Sequence, residues 1–382
     1  MVSSWSLACS NCTATHDATG LPTVCIDCGH PWLVRYETLP TLTMRELLAS
    51  QPWTMWRYHP WLPLTRTEDA VSLGEGCTPL LPLPAIAQGL GLPHVWMKDE
   101  GQNPCGSFKV RGLSVAITRA ILAGATQFVL PTAGNAGVAM AAYGARARMP
   151  VRIYAPHSTP PTLLAQMHHF GANLHLIDGH IGDCGKAAKA YAEETGATNL
   201  STLQEPYRVE GKKTLGLEIA EQLGWKLPNC IIYPTGGGTG LIGMWKAFQE
   251  LLESDWIHGP MPRLFSVQAE GCAPVVRAFE AGATSTEAWP EPVTSASGLR
   301  VPDPLGGKLM LSALRQSGGG AIAVSEAAIQ QDTAYLMQQA GIDAAPEGSA
   351  TLAALRQLVA EGVIQANESV VLFNTGAGWL YR

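Results

Sequence analysis

The chain has 382 residues, 46% of them hydrophobic and 15% charged, with 40 Gly and 27 Pro; this suits a compact α/β enzyme with tight loops and excludes a disordered chain. Its net charge of −6 comes without a Lys/Arg cluster, which excludes a binder of nucleic-acid phosphates, because such proteins concentrate positive charge to displace counterions. Nine cysteines, four of them in the first 28 residues, make an awkward disulfide framework and fit reduced thiols plus one metal site.

The first residues lack the basic start and long apolar stretch of a signal peptide, so a cytoplasmic protein is expected. Cys9-x-x-Cys12 and Cys25-x-x-Cys28 then form two knuckles that can place four thiolates around a structural zinc, unless the cysteines fall there by chance. His30 can stand in for a ligand, although four cysteines suffice. Metal binding would supply the folding free energy that so short a segment cannot draw from its own core. Residues 1–35 are therefore read as a zinc-ribbon-like segment, and 36–382 as the catalytic body.

Past a Pro- and Trp-rich connector from Pro40 to Leu64, short apolar runs alternate with amphipathic stretches, the pattern of a parallel sheet covered by helices. The predicted strands are His94–Lys98, Phe128–Pro131, Val151–Ala155, Leu174–Ile177, Ile231–Pro234, Leu264–Ala269 and Val370–Phe373. The predicted helices include Phe108–Ala123, Glu210–Leu223, Leu241–Leu252 and Ala350–Glu361, and Gly282–Ser297 is expected to be a long surface loop. The longest uncharged run, Ala120–Ala145, carries Gln127, Pro131, Thr132 and Asn135 in its middle and reads as strand, loop and helix, not as a membrane span.

Four loops follow predicted strands, at the strand ends where α/β sheets gather ligands. The first, Asn103–Lys109, ends with a lysine in the first turn of a helix, a poor place for a cation beside the helix dipole. Apolar neighbours and helix-start amides would depress an ammonium pKa there, as a Schiff-base lysine requires; taken alone, the residue is more plainly a solvated lysine. The second, Pro131–Gly137, offers backbone N–H groups for a carboxylate and Asn135 as a donor to a phenolic oxygen. The third, Thr235-Gly236-Gly237-Gly238-Thr239-Gly240, is a phosphate cradle that lacks both the P-loop ending and the Rossmann spacing, so it suits a monophosphate. The fourth, Asn374–Gly378, puts a neutral hydroxyl where a ring nitrogen could meet it, and by itself is an ordinary Gly-rich turn.

From Gly74-Glu75-Gly76-Cys77-Thr78-Pro79-Leu80 to the C-terminus, about four-fifths of the chain, the motif order resembles the threonine synthase-like family of fold-type II pyridoxal-phosphate (PLP) enzymes. The resemblance is carried by Gly106–Lys109, Ala133–Gly137, Glu205–Thr214, Thr235–Gly240, Ser297–Pro302, Pro346–Ala350 and Asn374–Gly378. It implies an α/β fold with two parallel-sheet-based lobes, the smaller roughly 110–215 inserted into the larger, and a homodimer. It implies that Lys109 is the Schiff-base lysine and catalytic proton shuttle, and that Asn135 contacts the cofactor's 3-hydroxyl. Gly236, Gly237, Gly238, Thr239 and Gly240 would hold the cofactor phosphate, and Thr375 would meet the pyridine nitrogen. Thr132, Ala133, Gly134 and Ala136 would hold the substrate carboxylate.

The implied reaction takes O-phospho-L-homoserine and water to L-threonine and phosphate. A second anion site is then needed: Arg208 is its candidate, with Lys212, Lys213, Arg300 and Lys308 behind it, lysines that otherwise read as surface charges. Val110, Ala133 and Ser201-Thr202-Leu203 depart from the commonest family pattern, and Lys-Val-Arg-Gly is similar to serine and threonine dehydratases. The alternatives are β-elimination or β-replacement on serine, threonine or an activated serine, and a non-catalytic zinc-ribbon ligand-binding protein.

Overall fold

The structure is a computed structural model that describes residues 4–382. The chain opens with three short antiparallel strands, β1 (Trp5–Cys9), β2 (Thr15–His16) and β3 (Trp32–Tyr36), in the order β2-β1-β3. A short helix α1 (Arg45–Ala49) and the tryptophan-rich connector follow. Next come β4 (Leu80–Pro82), α2 (Pro84–Leu90), β5 (His94–Asp99), α3 (Lys109–Leu122), β6 (Phe128–Pro131), α4 (Asn135–Ala147), β7 (Val151–Pro156), α5 (Pro161–His169), β8 (Asn173–Ile177) and α6 (Ile181–Thr195). The chain continues through β9 (Thr198–Asn199), α7 (Tyr207–Gln222), β10 (Cys230–Pro234), α8 (Thr239–Glu253), β11 (Arg263–Ala269) and α9 (Pro274–Glu280). It closes with α10 (Gly307–Gln316), β12 (Gly320–Val324), α11 (Glu326–Tyr335), α12 (Pro346–Ala360) and β13 (Ser369–Asn374).

These elements fall into two compact units. The first comprises the residues through Cys77, Asn103–Leu215 and Gln249–Trp256, and holds a parallel sheet in the order β8-β7-β6-β9. The second comprises Thr78–Gln102, Gly216–Phe248 and Ile257–Arg382, and holds a sheet in the order β12-β11-β10-β13-β5-β4, parallel except where β4 meets β5. Strand composition follows sheet position. The central β10, Cys-Ile-Ile-Tyr-Pro, is buried along its whole length because helices cover both faces, whereas β8 at an edge keeps exposed residues. In the second unit Ile232, Val267, Leu372 and Met97 pack beneath Leu352 and Leu355 of α12.

The predicted strands and helices are present, with ends moved by four residues at most. Gly282–Ser297 has no helix or strand, but its C-terminal part is not a surface loop: Thr294 and Ala296 are buried, and Glu326 accepts the Thr294 hydroxyl and the Ser295 N–H. Among the described residues no helix is long and apolar enough to cross a membrane.

Candidate cofactor and substrate site

Lys109 is the first residue of α3, half-buried, at the end of a loop that turns through positive φ at Cys105 (60°) and Gly106 (67°). Its Nζ lies 4.4 Å from the centroid of the Phe108 ring. Ser107, two residues before it, is fully buried and its Oγ has no protein partner, an orphan donor and acceptor that a polar ligand group would satisfy. Cys105 is no competing nucleophile, since burial and the charge of Glu75 push its thiol up to about 11.

Helix α7 runs against α3 at very short range. A Cβ on Gly211 would strike the Arg111 carbonyl, and one on Gly112 would lie 2.8 Å from the Arg208 carbonyl, so only glycines allow the crossing. Arg111 donates from Nη1 to Thr214 Oγ1 at 2.9 Å across it. The crossing also corrects the sequence reading of the lysines: Lys212 and Lys213 are fully buried, not surface charges. Lys212 donates to the Phe108 carbonyl and sits 3.9 Å from the Phe108 ring, so it shares that ring with Lys109. Lys213 is neutralised by Glu210 at 2.7 Å and Glu250 at 2.8 Å, and Tyr36 donates its hydroxyl to Glu210. Burial and the Glu210 charge push the Tyr36 phenol well above its ordinary range.

Arg208 is buried at the start of α7, where its Nη1 donates to the Leu200 carbonyl at 2.9 Å. Glu205 accepts the N–H groups of Tyr207 and Arg208 and so caps the same helix. Burial pushes the Glu205 carboxyl from an ordinary 4.5 up to about 7, with Arg208 and the two amides opposing. Because the folded value lies above the unfolded one, the folded chain holds more protons between them. Stability is therefore greatest below the unfolded value and falls as pH rises toward 7, by roughly 3 kcal/mol. The melting temperature of the wild type minus that of Glu205→Gln should drop by roughly 3–6 °C between pH 5 and pH 8; a difference that does not change with pH refutes this.

The loop before α4 depends on Gly134, whose φ of 154° and ψ of −117° belong to glycine alone. Thr132 donates its hydroxyl to the Gly134 carbonyl at 3.1 Å and accepts the N–H groups of Gly134 at 3.0 Å and Gly137 at 3.1 Å. All three capacities of that hydroxyl are thus used inside the loop, where it sets the backbone that Ala133, Gly134 and Ala136 present. Asn135 opens α4 and is half-buried. Val110, noted as a departure, is wholly buried among the apolar residues of α3.

Glu75 is a residue the sequence reading did not single out. Fully buried, it accepts Trp56 Nε1 (2.8 Å) and Ser114 Oγ (2.5 Å) on Oε1, and the Leu73 N–H (2.9 Å), Ser72 Oγ (3.1 Å) and Tyr143 Oη (2.5 Å) on Oε2. Ser114 lies on α3 and Tyr143 on α4, so one carboxylate ties together the helices that begin at Lys109 and Asn135. Burial and the Glu75 charge push the Tyr143 phenol far up, which keeps it a donor. The signal in the sequence was a lone acid between two glycines, Gly74 and Gly76, both with positive φ.

In the second unit, Thr235–Gly240 joins β10 to α8, so the first-turn amides of α8, which have no helical acceptor, face the space beyond the strand. Gly238 takes φ 79°, and a Cβ on Gly236 would strike the Gly298 carbonyl. Gly298 in turn donates to Glu347 Oε1 at 2.6 Å, joining the Ser297–Pro302 and Pro346–Ala350 motifs behind the loop. Thr375 follows β13 and is 6% exposed; Asn374 beside it donates to Asp99 Oδ1 at 2.8 Å and accepts the Ala345 N–H at 3.2 Å. Lys98 is anchored on Glu218 at 2.8 Å and on the Thr78 carbonyl at 2.7 Å, which leaves it a structural cation. Amine, amide, glycine-lined helix terminus and neutral hydroxyl are the donor set that an aldehyde, a phenol, a phosphate and a pyridine require, so the residues present fit PLP.

The four cysteines Cys9, Cys12, Cys25 and Cys28 bring their sulfurs within 4.8 Å of one another, with closest separations of 3.3, 3.6 and 3.7 Å. A tetrahedron built on zinc–sulfur bonds of about 2.3 Å has edges of about 3.8 Å, so the cluster fits that ion. His30 is not part of it; its Nδ1 lies 2.9 Å from the Cys28 carbonyl oxygen. Metal analysis should find about one zinc per chain, and Cys25→Ser should lose it together with thermal stability. Four freely titrating thiols in a metal-free, stable protein would count against the site.

A family model described as pyridoxal-phosphate dependent enzyme matches residues 71–376, and with the parallel sheets and strand-end loops this makes the chain a fold-type II PLP-dependent enzyme. The threonine synthase of Methanocaldococcus jannaschii is 32% identical over 373 residues, covering 97% of this chain and 91% of that protein. The threonine synthase of Methanosarcina acetivorans is 33% identical over the same shares. The chain belongs to the threonine synthase-like family of PLP-dependent enzymes. Among solved structures, maize serine racemase matches with a TM-score of 0.68 at 23% identity over 79% of this chain and 88% of that one. The processed form of threonine deaminase isoform 2 from Solanum lycopersicum matches at 0.66 and 20% over 78% and 79%, and at such identities the likeness speaks to the fold.

Proposed function

We propose that this enzyme is a carbon–oxygen lyase converting O-phospho-L-homoserine and water to L-threonine and phosphate. Its relatives at 32% and 33% identity are threonine synthases along nearly the whole chain. The observation that carries the phosphorylated substrate is the buried Lys212, held by the α3–α7 crossing on the carbonyl that immediately precedes Lys109. A buried ammonium there suits a second anion. Arg208 is the other candidate, whereas Lys213 is occupied by two carboxylates, Arg300 is half-buried and Lys308 is exposed.

In this reading Lys109 holds the cofactor and Asn135 faces its phenolic oxygen. The amides of Gly236, Gly237, Gly238, Thr239 and Gly240 bind its phosphate, and the Thr375 hydroxyl meets its ring nitrogen. The loop shaped by Thr132 presents the amides near Ala133, Gly134 and Ala136 to the substrate carboxylate. When bound, PLP supplies the electron sink for carbanion chemistry, moderated by the neutral Thr375. Lys109 Nζ takes protons from the substrate Cα and Cβ and returns protons at Cγ and Cα; the γ carbon–oxygen bond breaks with its electron pair leaving on phosphate, and water adds its oxygen at Cβ while its spare proton goes to the phosphate. The cysteine cluster of residues 1–35 contributes folding free energy through its metal.

Incubation of the holoenzyme with O-phospho-L-homoserine should release phosphate and L-threonine in equal amounts. Phosphate without threonine would overturn the reading, as would inertness toward this substrate together with ammonia and a 2-oxo acid formed from serine or threonine.

A further inference from the structure

In the first unit a cavity of about 300 Å³ lies between the loop that joins the two cysteine knuckles and the helices α3 and α7. Leu21 and Pro22 wall it from the knuckle loop, and Ala116 and Ala120 wall it from α3, one helical turn apart. Small residues on that helix leave the space open, and its size is at the lower end of natural ligand sites. Glu205 is the one charged residue of the lining. It is 6% exposed and accepts three N–H contacts from Tyr207 and Arg208, at 2.7, 3.1 and 3.2 Å, so its two oxygens keep acceptor capacity. None of the roles assigned to the PLP chemistry uses this space.

We propose that the cavity is a binding site for a small aliphatic ammonium cation, with its nitrogen on Glu205 and its hydrocarbon body against Leu21, Ala116 and Ala120. The chemistry selects that class. Arg208 opposes the Glu205 charge from behind but does not line the cavity, so an anion there would meet the carboxylate and no cation, and a neutral apolar molecule would leave the carboxylate's remaining acceptor capacity unused. A cation bearing an N–H gains a charge-assisted hydrogen bond in a setting largely shielded from water, and its alkyl group removes the apolar walls from solvent.

The test uses the full-length holoenzyme at pH 8 and isothermal titration with N,N-dimethylbutylammonium, a tertiary amine that cannot condense with an aldehyde. The neutral N,N-dimethylbutanamide serves as control. The cation should bind saturably and about tenfold tighter than the amide. Glu205→Gln should bring the two to equal affinity, and Ala120→Leu, which fills the cavity from α3, should abolish both. Equal binding of cation and amide to the wild type would overturn the proposal, as would cation binding that survives Ala120→Leu. These outcomes are independent of which amino acid the enzyme converts, because neither variant residue takes part in the assigned chemistry.

Discussion

Lys109→Ala should leave a folded protein from which borohydride no longer fixes the cofactor, with turnover reduced by roughly 10³-fold or more. Two arguments set the size of the effect. The amine is both the covalent anchor and the proton carrier of the assignment, so its removal takes away two contributions at once. It also cannot be replaced by its neighbour, although Lys212 shares the Phe108 ring with it, because Lys212 is held on the Phe108 carbonyl by the α3–α7 crossing. Lys212→Met is the matching control: borohydride should still fix the cofactor, since Lys109 is untouched. Covalent fixation that persists in Lys109→Ala, or that vanishes in Lys212→Met with Lys109 in place, would transfer the anchor to the other lysine. Mass spectrometry of the reduced peptide distinguishes the two.

The parallel strands were legible because continuous apolar runs such as Ile231–Pro234 are what a strand buried on both faces requires. The loops after them were legible because Gly134 and Gly238 mark backbone that other residues rarely adopt. The four cysteines were legible from spacing, and their sulfurs do converge. Burial of charge was not. Lys212 and Lys213 look solvated in a sequence window because the residues that cover them, Gly112 on α3 and Glu250 on α8, are far away in the chain. Arg208 differs: its partners, the Leu200 carbonyl and Glu205, lie within eight residues of it, but the turn that brings them to it has no apolar periodicity to announce it. Contacts set by helix crossings carry no local periodicity, so a pattern of apolar spacing cannot report them.

Glu75 is the most demanding case, and it predicts a large loss of stability from an isosteric change. Each of its oxygens faces one nitrogen donor that cannot turn away: Trp56 Nε1 on Oε1 and the Leu73 backbone N–H on Oε2. The three hydroxyls of Ser72, Ser114 and Tyr143 can rotate to accept, but those two N–H groups can only donate. In Glu75→Gln the new NH₂ must therefore oppose an N–H whichever way the amide is flipped. The variant should lose about 2–4 kcal/mol, from one broken charge-assisted bond and one buried donor without an acceptor. Glu75→Ala, which deserts five donors at once, should lose more, about 3–5 kcal/mol, and expose the interior to proteolysis. Chemical denaturation measures both. Since Ser114 and Tyr143 carry the carboxylate's hold onto α3 and α4, any folded Glu75→Gln enzyme should also bind the cofactor more weakly, as its release on dialysis would show. A Glu75→Gln enzyme with wild-type denaturation midpoint and cofactor retention would mean that the five contacts do not act as one buried hub.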